Sequence, residues 1–296
     1  MTALFLYFSG TGNTRRLVSL YEASFRKAGL QVYVHSLEEG PLETDPSFFD
    51  YIGIFYPIYA FNAPWFVLQY FKKLSKASKP IDYFIVKTSG EGLALNNASS
   101  GKLIGILRRR NYHLKEEFHY LMPYCLVFRH TETMATKMLE TAKAVVPIDS
   151  QSVIDHKPVK LSHFFFGPLI SFLFRIEYWG GRFNGKFYKA DKDKCSRCLL
   201  CLNRCPVGNI YLDKNGDIAF SKHCLMCQRC AMYCPKDAIA IGLFHRWKVH
   251  GAYRFTIPSV PEKDRHPHYC KHSYEKYFAR QAKKVSDQPS TSHDKT

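Results

Sequence analysis

The chain has 296 residues, 46% of them apolar, which is enough for a real core and too long for one very small domain. Its 42 Lys and Arg against 25 Asp and Glu give a formal charge of +17, which excludes an acidic surface and suits an acidic protein partner or an anionic membrane surface. Basicity without a recognised nucleic-acid motif argues against specific nucleic-acid binding. In chain order, residues 3–8 read as a buried strand, after which Leu17, Leu20, Tyr21, Phe25 and Ala28 recur at helical spacing. Strands are predicted at 31–36 and 51–56. Asn62 reads as an N-cap, with Pro64 in the first turn of a helix running to about residue 77. A strand at 82–88, a helix at 99–110, a strand at 119–127 and a helix at 132–146 complete the alternation. Such β-α alternation predicts an α/β fold, a doubly wound parallel sheet covered by helices on both faces.

This unit is expected to occupy residues 1–147. Residues 148–190 read as an aromatic and basic connector, 191–243 as a cysteine-rich module, and 244–296 as a basic extension whose last sixteen or so residues, 281–296, are disordered. The apolar stretch 161–174, flanked by Lys160 and Arg175, reads as a strap between the two units, with peripheral membrane contact as the alternative. It is interrupted by Gly167 and Pro168 and falls short of the ~20 residues that span a bilayer, so no transmembrane segment is expected. No positive residue precedes the apolar run 3–8, so a signal peptide is not indicated and a cytoplasmic location is expected.

Eight of the ten cysteines form two runs of one pattern. Cys195, Cys198, Cys201 and Cys205 are followed by Pro206; Cys224, Cys227, Cys230 and Cys234 are followed by Pro235. Each cysteine of the second run lies 29 residues after its counterpart, which marks an internal repeat. Closely spaced thiolates on a tight loop can hold three corners of a cubane, and the fourth cysteine faces the other site. The spacing therefore points to two 4Fe–4S clusters, one held by Cys195, Cys198, Cys201 and Cys234, the other by Cys224, Cys227, Cys230 and Cys205. Zinc, which favours C-x2-C pairs separated by longer gaps, fits poorly. Asn215–Gly216 signals a hairpin between the halves. Cys125, in an apolar run, reads as a buried thiol. A group of His and Cys donors at 266–272 reads as a solvated basic segment rather than a metal site.

Between the first strand and helix lie Ser9, Gly10, Thr11, Gly12, Asn13 and Thr14. Their hydroxyls, backbone N–H groups and the helix N-terminus suit one phosphate. The loop is neither a Walker A sequence nor G-x-G-x-x-G. An ordinary glycine-rich turn is the alternative.

This loop resembles that of flavodoxins, which bind FMN beside strand 1 of a sheet ordered 2-1-3-4-5. The resemblance implies two further flavin-lining loops, Pro57, Ile58, Tyr59, Ala60, Phe61 and Asn62 after the third strand, and Thr88, Ser89, Gly90, Glu91 and Gly92 after the fourth. Two departures stand out. The second loop has no glycine where many flavodoxins keep one, and the third lacks the aromatic that often stacks on the ring. Tyr59, Phe61 or Trp65 is available to cover one ring face, with the other open or covered by the cysteine module. Residues 194–242 resemble bacterial-type two-cluster ferredoxins, a small α+β fold. The whole chain thus resembles a flavodoxin-domain/two-cluster ferredoxin fusion family found mainly in anaerobic bacteria and archaea. That implies an electron carrier linking FMN, two 4Fe–4S clusters and an acidic redox partner. A flavin-dependent oxidoreductase fed by the clusters is the alternative, and a redox-sensing or membrane-docked subunit a third. No catalytic triad or carboxylate pair is apparent.

Overall fold

Five strands carry the first half of the chain: β1 (Thr2–Tyr7), β2 (Gln31–Ser36), β3 (Tyr51–Pro57), β4 (Ile81–Ser89) and β5 (Tyr112–Leu121). All pair in parallel, in the order β2-β1-β3-β4-β5. This is a flavodoxin-like doubly wound sheet, and a cysteine-rich region follows it. The computed structural model describes residues 1–157, 167–259 and 268–288.

Helices α1 (Asn13–Lys27) and α4 (Glu132–Ile154) cover one face, and α2 (Trp65–Lys73) and α3 (Gly101–Arg108) the other. The inner strands are apolar on both sides, as burial between two helical layers requires. Leu4, Leu6, Ile52 and Ile54 face α2 and α3; Ala3, Phe5, Tyr51 and Phe55 face α1 and α4. On the second face Phe5, Phe25, Phe55 and Phe84 form one aromatic cluster, with Phe5 and Phe25 edge to face at 5.1 Å. Gly53 makes room for it: a Cβ there would meet the Phe84 ring at 2.6 Å and the Phe55 ring at 2.7 Å.

Several predicted bounds shift. The fifth strand starts at Tyr112, not 119, and ends at Leu121. As an edge strand with β4 alone beside it, it carries polar residues, Lys115 and Glu116 among them, where an apolar run was sought. The apolar run that follows forms a loop instead. Pro64, not Asn62, takes the N-cap position of α2, because the Asn62 side chain is bonded elsewhere. Helix α4 continues through Pro147 to Ile154, since Val153 beyond the proline still packs on the aromatic face.

The second half is built of short elements: α5 (Gly167–Leu173), α6 (Ile176–Gly185), β6 (Tyr188–Ala190), α7 (Leu200–Asn203), β7 (Ile210–Leu212), β8 (Ile218–Phe220), α8 (Arg229–Met232) and β9 (Ile239–Ile241). β7 and β8 form the hairpin about Gly216, at φ 75°. β9 pairs antiparallel with β6, so the predicted connector ends as a strand of the cysteine region. Its predicted strap is only partly described, since 161–166 lie outside the described residues.

The extension does not behave as a polar tail. Residues His268–Ser286 form α9, which packs on α4 through Cys270, Tyr274 and Tyr277 against Leu121, Met134 and Met138. The disorder expected from 281 is overturned as far as Ser286. Gln281 is buried, and Lys284 forms an ion pair with Asp149. The aromatic spacing anchors a helix that composition alone discounts. Residues 289–296, and His266 and Pro267 of the donor group, lie outside the described residues. Among the described residues no helix is long and apolar enough to cross a membrane.

Candidate functional site

A cavity of about 520 Å³ opens at the carboxyl ends of β1, β3, β4 and β5. Ser9, Gly10, Thr11, Asn13 and Thr14 of the first loop line it, as do Pro57, Ile58, Tyr59, Ala60 and Phe61 of the second and Thr88, Ser89 and Gly90 of the third. Three predicted site residues stand behind the wall. Gly12, at φ 91°, caps α1. Asn62 donates from Nδ2 to the Ser171 carbonyl at 3.0 Å and accepts from the Ser171 hydroxyl at 2.7 Å, fastening α5. Gly92 lies under α9, where a Cβ would meet the Ser273 carbonyl at 3.1 Å.

The first loop is held open at the helix N-terminus. The Arg15 N–H donates to Ser9 Oγ at 3.2 Å, and the Thr14 and Thr88 hydroxyls bond at 2.9 Å. Asn13 donates to the Pro123 carbonyl at 2.8 Å, which draws the loop after β5 over the cavity. The leading N–H groups of α1 have no carbonyl of their own turn to meet, an arrangement that suits an anion.

The second loop reaches positive φ without glycine. Ala60 (φ 36°) and Phe61 (φ 60°) both take the left-handed region, and Tyr59 and Asn62 exchange N–H···O bonds at 2.9 Å across them. Such turns favour Gly or Asn, so the strain of two ordinary side chains is stored beside the cavity. Tyr124, from the loop after β5, supplies the aromatic that the third loop lacks. Its ring lies against Gly90, where a Cβ would fall 2.4 Å away, and its hydroxyl donates to Glu91. Sequence reasoning missed the remaining walls: Met122 to Val127 after β5, Ile176, Glu177, Gly180 and Gly181 of α6, Met226, and Phe244 with Trp247. Burial raises the Glu177 carboxyl to about 7, and Oε2 has no hydrogen-bond partner among the described residues. Burial likewise pushes the Cys125 thiol up to about 12 in the same wall.

The cysteine region repeats itself in backbone as well as sequence. Arg197 and Met226, Leu199 and Gln228, and Gly208 and Asp237 form three pairs at the repeat spacing, and all six have positive φ. The Asn209 N–H donates to Cys205 Sγ at 3.2 Å, and the Ala238 N–H to Cys234 Sγ at 3.3 Å. None of the ten cysteines is in a disulfide. Cys205 is among the groups that raise the Cys224, Cys227 and Cys230 thiols, Cys201 also acts on Cys230, and Cys234 acts on Cys201, so the two runs lie near each other. Burial pushes Cys224 up to about 12 and Cys227 up to about 11. Among the described residues no group of three or more His, Cys, Asp or Glu closes on a single metal ion.

The two halves meet at the phosphate-type loop. A Cβ on Gly10 would lie 3.0 Å from the Cys227 carbonyl and 3.2 Å from its Cβ. Arg229 uses all five N–H donors at this seam. It bonds the Gly10 carbonyl at 2.8 Å, the Ser9 carbonyl at 2.6 Å, the Arg204 carbonyl at 2.9 Å, and both Glu38 carboxylate oxygens at 2.6 and 2.7 Å. Tyr233 donates its hydroxyl to the Thr11 carbonyl at 2.8 Å. Leu225 and Cys227 belong to the core cluster of the sheet itself.

Comparison with solved structures returns flavodoxin-like folds over about half the chain. A flavodoxin from the domain Archaea shares 14% identity and covers 52% of this chain and 99% of its own, with a TM-score of 0.37. The two-electron reduced flavodoxin of Megasphaera elsdenii shares 19% identity and covers 40% of this chain and 85% of its own, with a TM-score of 0.35. The NAD(P)H:quinone oxidoreductase of Methanothermobacter marburgensis shares 10% identity over 50% of this chain and 98% of its own, with a TM-score of 0.36. No family model and no curated protein matches the sequence. The fold class rests on the strand order above.

Proposed function

We propose that the chain is an electron-transfer flavoprotein in which FMN occupies the cavity and two 4Fe–4S clusters occupy the cysteine region. The observation that carries this reading is the packing of Cys227 on Gly10: a predicted cluster ligand touches the predicted phosphate loop. FMN exchanges one or two electrons and each cluster one, so together they would convert between pair and single-electron traffic.

The residues fit these groups. Ser9, Gly10, Thr11, Gly12, Asn13 and Thr14 would hold the phosphate with hydroxyls, N–H groups and the α1 N-terminus. Pro57 to Phe61 and Thr88 to Gly90 would border the ring, with Tyr59, Phe61 and Tyr124 as aromatic walls. Cys224, Cys227, Cys230 and Cys205 would form the inner cluster site, Cys195, Cys198, Cys201 and Cys234 the outer. Thiolate sites resistant to ionisation on their own call for a strongly positive core. Sulfurs that face one another without closing on one ion suit a multi-iron core. The N–H···S bonds to Cys205 and Cys234 would raise the potential. Met226 and Gly181 line the cavity beside the inner site: a Cβ on Gly181 would lie 3.4 Å from Met226 and 3.7 Å from the Cys224 carbonyl. The outer site, where Cys198 is exposed, would be the port for an external redox partner. The positive formal charge suits an acidic one, whose association then weakens with salt.

A specific observation favours a second reading, an oxidoreductase acting on a small molecule. Glu177 Oε2 faces the cavity unbonded and holds its proton up to about pH 7, where it could hand it to a substrate being reduced. Anaerobic purification with iron, sulfide and flavin analysis tests the main reading. About eight iron and one FMN per chain are expected. Iron without flavin would remove the cavity's role, and flavin without iron that of the cysteines.

A further inference from the structure

We propose that the outward faces of α5 and α6 seat the protein on an anionic lipid bilayer. The helix α5 is packed inside out. Ser171 is buried, tied through its hydroxyl and carbonyl to Asn62, while the larger Leu169, Phe172 and Leu173 point to solvent. On α6, Ile176 is 74% exposed, Trp179 72% and Phe183 53%. Large apolar side chains are elsewhere exposed mostly one at a time. Here they share two consecutive helices, and a patch of this kind marks an interaction surface.

Charge selects the occupant. Within 167–190 the one acidic residue is Glu177, which faces the cavity; Arg175, Arg182, Lys186 and Lys189 are the bases. Lys102 feels both Arg175 and Lys72: burial first, then Arg175 and Lys72, lowers its pKa. The cations lie alongside the rings: Arg182 sits 4.7 Å from the Trp65 ring centroid and 6.0 Å from that of Trp179, and Lys186 5.3 Å from that of Phe183. Apolar residues with Trp at their edge and a cationic rim match the interior and headgroups of an anionic leaflet together. A second copy of the same face would set those cations against one another. Ile176 also lines the cavity, and the Phe174 ring stands 5.0 Å from that of Phe61 in the second loop. The docked face therefore borders the cavity rim, within reach of apolar molecules dissolved in lipid.

Flotation of the anaerobically purified full chain with vesicles tests this. Vesicles of phosphatidylcholine containing phosphatidylglycerol should carry the protein up. Phosphatidylcholine alone should carry little of it, and high salt should release it. The double substitution Phe172→Ser/Trp179→Ser should reduce partitioning at least about tenfold, and Arg175→Gln/Arg182→Gln should reduce it on anionic vesicles. Both variants should keep wild-type iron, flavin and circular dichroism; a variant that loses them is replaced by Leu169→Ser/Phe183→Ser. No flotation with any vesicle, or flotation unchanged by the substitutions, overturns the proposal. So does a wild-type dimer in sedimentation velocity that Phe172→Ser/Trp179→Ser makes monomeric without any vesicle binding, because the face would then be a self-interface.

Discussion

The two cysteine loops have one backbone and two surroundings. At the repeat spacing, Arg197 corresponds to Met226, Leu199 to Gln228, Leu200 to Arg229 and Arg204 to Tyr233. The left-handed positions, the short helices α7 and α8 and the N–H···S bonds coincide. Yet Cys198 is exposed while Cys227 is buried in the core of the sheet. Backbone geometry is therefore set by the features the loops share, and placement by the few positions at which they differ. Arg229 and Tyr233 bond the first loop of the sheet; Leu200 and Arg204 make no such bonds to it. On the proposed reading, the same cysteine pattern would serve as an inner relay and an outer port.

The comparison breaks first at the cysteines. Cys227→Ser should cost about four of about eight iron and also disturb flavin retention, since its backbone lies against Gly10. Cys198→Ser should cost about four iron and leave flavin in place. Iron and flavin assays on both variants check this, and equal flavin loss would mean that the loops are not inner and outer. Next comes the clamp. Arg229→Ala strands the Glu38 carboxylate and two loop carbonyls, and should lower stability by about 2–3 kcal/mol in denaturant titration. Leu200→Ala, at the matching position, should cost under about 1 kcal/mol, because that side chain is not fully buried.

A third difference is titratable. Glu177 shares the cavity wall with Met226. Its folded pKa of about 7 lies above the ordinary 4.5, so folding favours its protonated form. That contribution is whole below about pH 4.5 and is lost as pH rises to 7. The loss should be about 1–3 kcal/mol, discounted for solvent reaching the cavity. Glu116 is also raised to about 7, by burial and then by Asp149, and titrates in the same window. The wild type minus Glu177→Gln difference, read at pH 5 and pH 8, isolates Glu177. The smallest effect lies in the strained loops. Arg197→Gly relieves a left-handed side chain at the surface but removes its ion pair with Asp217 at 2.9 Å, so the two offset and stability should change by no more than about 1 kcal/mol. Met226→Gly relieves the same strain but loses packing against Gly181 and the cavity wall. It should destabilise by about 1–2 kcal/mol on thermal unfolding.

What was legible in the sequence follows the reach of each constraint. The repeat of the cysteine loops is local, so their matching backbone could be read from the 29-residue spacing. The inner strands were legible because a buried parallel strand must be apolar on both sides, and their order was implied by the resemblance that the first loop carries. The edge strand β5 escaped because its one-sided pairing permits Lys115 and Glu116. The apolar run after it, read as a strand, serves as cavity wall. Arg229 reads in sequence as one more surface cation. Its role depends on Glu38 and on two carbonyls some 220 residues away. The stripe of Cys270, Tyr274 and Tyr277 was present at helical spacing, but its polar neighbours masked it.

The bond from the Tyr274 hydroxyl to the Gly90 carbonyl spans 184 residues. On the ribosome, Gly90 therefore emerges long before the helix that backs it. The sheet can form early, with Tyr124 against its third loop, but that loop lacks the backing of Tyr274 and Gly92's neighbour Ser273 until α9 has been made. At a synthesis rate of about 5–20 residues per second, that delay lasts roughly ten to forty seconds. Over that interval the nascent chain holds an incomplete cavity, so stable retention of a cavity ligand belongs to the finished polypeptide.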